Sequence, residues 1–140
     1  MNTSWPLMPI LLSDHNCEGQ ARAIFAVLER RGYAQMLGIS LRLFGDVGLA
    51  MDADDEQVWC YCQANATLLL TGNRKARGGD NTLESVLRRL TTPTTWPVFT
   101  IGNVERVMRD PVYCGHCAER LAEYMLALDN YRGTPRLYLP

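Results

Sequence analysis

Three short apolar runs, residues 9–14 (PILLSD), 66–71 (ATLLLT) and 97–101 (PVFTI), most constrain what this chain can fold into. They are continuous rather than alternating, which suits strands buried on both faces. Stretches with helical spacing lie between them. After the first run, Asn16 is positioned to cap a helix with Glu18 in its first turn, an apolar stripe of Ala23, Ile24, Val27 and Leu28, and a stop at Gly32. The segment Asp52–Asp55 opens another helix, in which Asp54 with Gln57 reads as a capping box and Val58, Trp59 and Cys62 form the inner face. Asn81 with Glu84 reads as the cap of a third, lined by Leu83, Val86, Leu87 and Leu90. Beyond Asn103 a short helical segment precedes a long one over about 112–128, where Leu121, Tyr124, Met125 and Leu128 stand three and four apart. Within residues 34–50, Met36, Leu37 and Ile39 predict a second strand, and Gly45 and Gly48 break the stretch after it. The tail, 133–140, reads as extended.

Interior-type strands alternating with helices imply a parallel sheet covered on both faces, with right-handed crossovers. The chain's 140 residues suit one domain, 1–140. A composition of 47% hydrophobic and 21% charged residues is that of a globular protein, not a disordered one. The longest apolar stretch, Trp5 to Leu12, is too short to span a bilayer and contains Pro6 and Pro9. No Lys or Arg precedes it and no small-residue cleavage site comes after it, so a soluble, cytoplasmic chain without a membrane partner is expected. An odd number of cysteines, five, then predicts free thiols rather than disulfides.

The net charge of −1 hides an asymmetry: residues 1–70 sum to −4 and residues 71–140 to +3. Of fourteen basic residues only Lys75 is lysine. Arginine forks onto phosphate, so an arginine-rich half beside an acidic half is compatible with a nucleic-acid surface next to a metal site. On charge alone, a solvated surface in a lineage that favours arginine is the better account.

In parallel sheets, ligands bind at the carboxyl ends of the strands. Asp14 comes after the first run, Gly72-Asn73 after the second and Gly102-Asn103 after the third, while helix starts bring Asp54, Asp55 and Asp80 to the same edge. Clustered carboxylates need a cation, and hard oxygen donors favour Mg²⁺ or Mn²⁺. Metal-assisted phosphodiester hydrolysis is the natural chemistry: the ion polarises the phosphoryl oxygen and activates water. Taken singly, Asp54 is explained as an N-cap, and Asp52 and Asp80 as turn residues. Asp14 resists that account because it closes a buried strand. A phosphate-binding glycine loop of either common type, G-x-x-x-x-G-K-[ST] or G-x-G-x-x-G between strand and helix, is absent from the sequence.

LLSD closing the first strand, DEQVW opening the helix at Asp55, LLLTGNR through Asn73, PVFT from Pro97 and the tail RGTPRLYLP together resemble PIN-like proteins, in the branch related to the Mut-seven C-terminal RNase domain and VapC-type toxins. The resemblance implies a three-layer α/β/α fold with a mainly parallel sheet of four to five strands. It further implies an acidic cluster that binds Mg²⁺ or Mn²⁺ and cleaves RNA. By that pattern Asp14 and Asp55 are the first two acidic positions, Asn73 stands where a third carboxylate is usual, and Asp80 is a fourth. Asn73 ligates through an amide oxygen and lowers the charge of the site by one. An antitoxin protein as partner, and a toxin role, rest on the resemblance alone; a homodimer is a further expectation. Arg74, Lys75 and Arg77 would then hold substrate phosphates, with Arg88 and Arg89 extending the track and His15 contacting substrate beside Asp14.

Two other readings stay open. Asn73 favours a non-catalytic module of the same fold that binds RNA or a regulatory protein. Cys114-Gly-His-Cys117 invites a zinc or thiol protein, although zinc needs about four ligands and only His116 and the two cysteines are local. Buried structural thiols are the better account of that pair. Trp96 and Tyr113 suit packing more than base stacking.

Overall fold

The computed structural model describes residues 9–72 and 82–140. Its five strands are β1 (Ile10–Ser13), β2 (Ser40–Arg42), β3 (Thr67–Thr71), β4 (Val98–Ile101) and β5 (Arg136–Leu139). They form one sheet in the order β2-β1-β3-β4-β5, with every neighbouring pair parallel. Helices α1 (Glu18–Arg30), α2 (Tyr33–Leu37), α3 (Phe44–Val47), α4 (Asp55–Ala64), α5 (Leu83–Leu90), α6 (Val104–Arg109) and α7 (Pro111–Leu126) cover both faces. The fold is the α/β sandwich expected, with five strands.

Register and alternation divide the core in two. Leu11, Leu68, Leu70, Phe99, Ile101 and Leu139 face α1, α2, α6 and α7. Leu12, Leu69 and Val98 face α3, α4 and α5. All side chains of β3 and β4 are buried, which is why their sequences are apolar runs without alternation.

The starts of α4 to α7 rest on side-chain caps, but that of α1 does not. Asn16, the expected cap, lies within a 3-10 turn (His15–Cys17), and Cys17 takes the cap position without a side-chain cap bond. The Asp54 N–H donates to Gln57 Oε1 at 2.9 Å and the Gln57 N–H to Asp54 Oδ1 at 2.8 Å, the capping box expected. Asn103 accepts from Arg106 N at 3.1 Å and caps α6. α5 differs from expectation: its cap is Thr82, which accepts from Ser85 N at 3.2 Å. Asn81 lies outside the described residues. The long helix begins one residue earlier than its apolar spacing suggests, because Asp110 caps it and Pro111 occupies its first turn, where a missing N–H costs nothing.

Three other expectations change. Met36 and Leu37 belong to α2, and β2 begins only at Ser40. Gly32 and Gly38, at φ 82° and 68°, bracket a single helical turn, and five residues are too few for periodicity to separate helix from strand. On α1 the fully buried alanine is Ala21, with Ala23 only packed against the cluster. The crossovers are not all of one hand. The connection through α1 and α2 steps from β1 outward to β2, whereas that through α6 and α7 steps from β4 to β5 in the opposite direction, on the same face. Two such crossovers must be of opposite hand. The α6–α7 connection is the odd one, because the connections through α3–α4 and through α5 lie on the other face and agree with β1–β2.

Asp110 gives the fold a pH dependence. Its carboxyl is held below the usual range, first by the Tyr113 backbone N–H and then by the Arg106 side chain. A depressed native value contributes stability that is complete above the unfolded value of about 4 and is lost as pH falls through the native one. In Asp110→Asn the cap acceptor remains but the titration does not. Urea unfolding from pH 6 to pH 2 should therefore show the stability gap between wild type and variant closing below about pH 4. A gap constant with pH would refute this role.

Candidate functional site at the carboxyl edge of the sheet

The strand order reverses direction between β1 and β3. The chain leaves β1 toward α1 on one face, and the helix after β3, α5, packs on the other. A crevice opens between diverging connections of this kind, outside the carboxyl ends of the two strands. Asp14 and Thr71 stand at those ends.

The backbone of Asp14 is fixed from three directions. Its N–H donates to Leu70 O at 2.8 Å, and its carbonyl accepts from Cys17 N at 3.2 Å and from the Ser13 hydroxyl at 2.9 Å. The side chain is half-buried, and its Oδ2 accepts from the Thr71 hydroxyl at 2.7 Å. Thr71 itself is fully buried. Orienting a carboxylate by a buried, charge-assisted hydrogen bond is what a preorganised ligand or base requires.

Two thiols sit behind this carboxylate, one on each face of the sheet. Cys17 is pushed up to about 11 and Cys62 to about 12, in both cases first by burial and then by the charge of Asp14. Both are neutral thiols at physiological pH. Directly after β3, Gly72 permits a close approach: a Cβ there would overlap the Val104 side chain at the start of α6.

Asp55 is the first residue of α4 and is half-buried. α4 runs back antiparallel to β3 across a two-residue turn at Asn65 and Ala66, and Val58 and Cys62 pack on Leu12 and Leu69. Its start is thereby brought to the edge that carries Asp14. Asp54, on the same turn, is exposed and engaged in the capping box. Asn103 also reaches this edge, but its side chain serves the α6 cap. His15 occupies a 3-10 turn next to Asp14, with Nδ1 3.4 Å from Glu18 and its ring against Phe44. Asn73, Arg74, Lys75, Arg77 and Asp80 lie outside the described residues. Arg89 on α5 pairs with Glu56 at 3.0 Å, and Arg88 lies 3.6 Å from Glu84.

Among the described residues no group of three or more His, Cys, Asp or Glu side chains is close enough to share a metal ion. Asp14 and Asp55 are the carboxylates that the strand and helix ends place at this edge. Oxygen donors of this kind suit a hard ion such as Mg²⁺, which keeps several waters and is held by one or two carboxylates. A surface cleft of about 380 Å³ at the ends of β3 and β4 is lined by Gly72, Gly102, Asn103, Val104, Glu105 and Arg109. It opens on the α6 side, away from the face on which Asp14 meets Thr71.

The second cysteine pair is not at this edge. Cys114 and Cys117 are buried in α7, while His116 between them is exposed, so the three do not converge. Cys117 is pushed up to about 12, chiefly by burial. Trp96 and Tyr113 are packing residues covered by arginines: Arg132 lies 3.8 Å over the Trp96 ring and Arg106 4.8 Å over that of Tyr113.

Thr71, Thr100 and Arg136 lie within the motifs LLLTGNR, PVFT and RGTPRLYLP, but a reading of the sequence assigns none of them a role. Thr100 is fully buried near the end of β4 and accepts from Arg136 at 2.8 Å. The signal in the sequence is a hydroxyl residue late in each of two strands that are otherwise mostly apolar.

No family model matches this chain, and neither the curated proteins nor the solved structures hold a significant match to it. No helix among the described residues is long and apolar enough to cross a membrane.

Two outcomes test this geometry. Replacing Thr71 by Val removes the donor to Asp14 while keeping the shape. It should cost about 1–3 kcal/mol in urea unfolding, the range for a buried bond to a charged group. Of the five cysteines only Cys60 is exposed. Native protein at pH 8 should therefore take up one equivalent of iodoacetamide rapidly, and Cys60→Ser should abolish that uptake. Fast modification of a second thiol would contradict the burial of Cys17, Cys62, Cys114 and Cys117.

Proposed function

We propose that the chain is a PIN-like, Mg²⁺- or Mn²⁺-dependent ribonuclease that hydrolyses RNA phosphodiesters, and that it is the toxin component of a toxin–antitoxin pair. The observation that carries the proposal is Asp14. A carboxylate closes a buried strand where the strand order reverses, and a buried hydroxyl holds it in one orientation at 2.7 Å. A fully structural residue at that position would be apolar or would serve a cap, and Asp14 makes no side-chain cap bond.

In this account Asp14 and Asp55 hold the ion, with Asp80 and Asn73 as further oxygen donors from the segment between Gly72 and Thr82. A bound divalent ion supplies Lewis acidity at the phosphoryl oxygen and lowers the pKa of a water molecule. The chain's own groups do the rest. Thr71 orients the Asp14 carboxylate, and the backbone bonds to Leu70 and Cys17 keep it from turning away. Arg74, Lys75 and Arg77 come directly after Gly72 in the chain and would bind substrate phosphates, the contacts that set position rather than sequence preference. His15, adjacent to Asp14, would contact the substrate. A protein antitoxin would act by covering this edge.

The test is cleavage of RNA by the purified chain. Activity should appear with Mn²⁺ or Mg²⁺, vanish with EDTA, and fall at least about a hundredfold in Asp14→Asn, given the several kcal/mol that metal-assisted charge stabilisation supplies. RNA that is bound but not cut, with binding unchanged by Asp14→Asn, would replace the hydrolase by a binding module.

A further inference from the structure

A row of polar side chains crosses the interior of the sheet just behind its carboxyl edge. Thr71 and Thr100 are register partners on neighbouring strands and are both fully buried. They share the face of Leu69 and Val98, toward α4 and α5. The Thr71 hydroxyl donates to Asp14 Oδ2 at 2.7 Å. On the other side Arg136 donates to Thr100 Oγ1 at 2.8 Å and to Glu84 Oε1, in the first turn of α5, at 3.2 Å. The Arg136 side chain is only 8% exposed. A charge so deep is retained where partners compensate it; replacing a whole buried pair by apolar groups is often neutral, whereas removing one partner alone is costly.

We propose that Arg136 is a positioning residue of the Asp14 site, acting through the hydroxyls of Thr100 and Thr71. The guanidinium makes the Thr100 oxygen an acceptor, and the carboxylate makes the Thr71 hydroxyl a donor. The two threonines are register partners on neighbouring strands, so the cation and the anion stand at opposite ends of one buried polar row. Two strand spacings, about 10 Å, separate β1 from β4, a distance at which opposite charges in the interior still interact appreciably. Glu84 and Thr100 grip the guanidinium from two sides, and this fixes it to the sheet. The inference rests on Asp14 being the functional carboxylate. It adds a residue that touches neither substrate nor ion.

A double-mutant cycle tests it without RNA. Urea unfolding is measured for wild type, Arg136→Met, Asp14→Asn and the double variant. The factor by which Arg136→Met lowers the folded-to-unfolded ratio should be about fivefold smaller when residue 14 is already Asn. Pairing Arg136→Met with Glu84→Gln gives the control for direct contact. If Arg136→Met does not fold, Thr100→Val takes its place in the cycle with Asp14→Asn. Coupling to Glu84 with strictly additive effects at Asp14 would mean that Arg136 only anchors α5, and would overturn the proposal. In the active protein, Thr100→Val should also weaken Mn²⁺ binding, measured with the metal alone, by about tenfold. Coupling to Asp14 in a protein that cleaves no RNA would refute the hydrolase and leave the positioning intact; cleavage with additive effects would do the reverse.

Discussion

Burial of β3 on both faces is the constraint that sets the placement of the candidate site. A strand without an exposed side chain must lie in the middle of the sheet, flanked by strands on both sides and helices on both faces. β1 and β4 take the flanking positions, and their registers with β3 bring Asp14 beside Thr71 and Thr71 beside Thr100. A slip of one residue in either pairing would turn the hydroxyls toward α1 and α7 and leave them without their charged partners. The same apolar packing that stabilises the core thus sets the line of polar groups at its edge.

The reversed crossover between β4 and β5 has a structural consequence. It carries α7 onto the face of α1, where Leu121, Ala118 and Cys117 pack into one cluster with Ile24 and Leu28. β5 is thereby pinned at Leu137 and Leu139 from that face, while its other side chains, Arg136 and Tyr138, turn toward the α5 side. Tyr138 reaches solvent, but Arg136 lies one strand from Thr100 and within reach of α5. The unusual hand of this connection and the buried arginine are two results of the same placement of β5.

Much of this was legible from residue patterns. The continuous runs identified β1, β3 and β4 because strands buried twice over have no alternative composition. The Asp54–Gln57 box was legible because capping is local. Asp14 stood out because an acidic residue closing such a run has no packing role. α2 was not legible, since its Met36 and Leu37 read as a strand until the left-handed glycines at both ends are seen. The hand of the last crossover depends on which face α7 occupies, a tertiary choice that periodicity does not record. Arg136 was missed for a related reason. In an alternating tail an arginine reads as the solvent side, and only the neighbouring threonine and α5 make that side an interior.

The surroundings of Asp14 also narrow the chemistry available to it. Cys17 and Cys62 are close enough for its charge to act on them, yet both are held as neutral thiols in the core behind it. Soft metals are selected by thiolates, which here would have to be created at the cost of placing a second negative charge in a buried region beside the first. The groups that face the open end are oxygens. Thr71 donates to one carboxylate oxygen, which keeps the pair a donor and an acceptor rather than two competing acceptors. With the sulfur buried, the side chains that the carboxyl ends of β1 and β3 present are oxygens, so any ion held there under the proposed function would be a hard one.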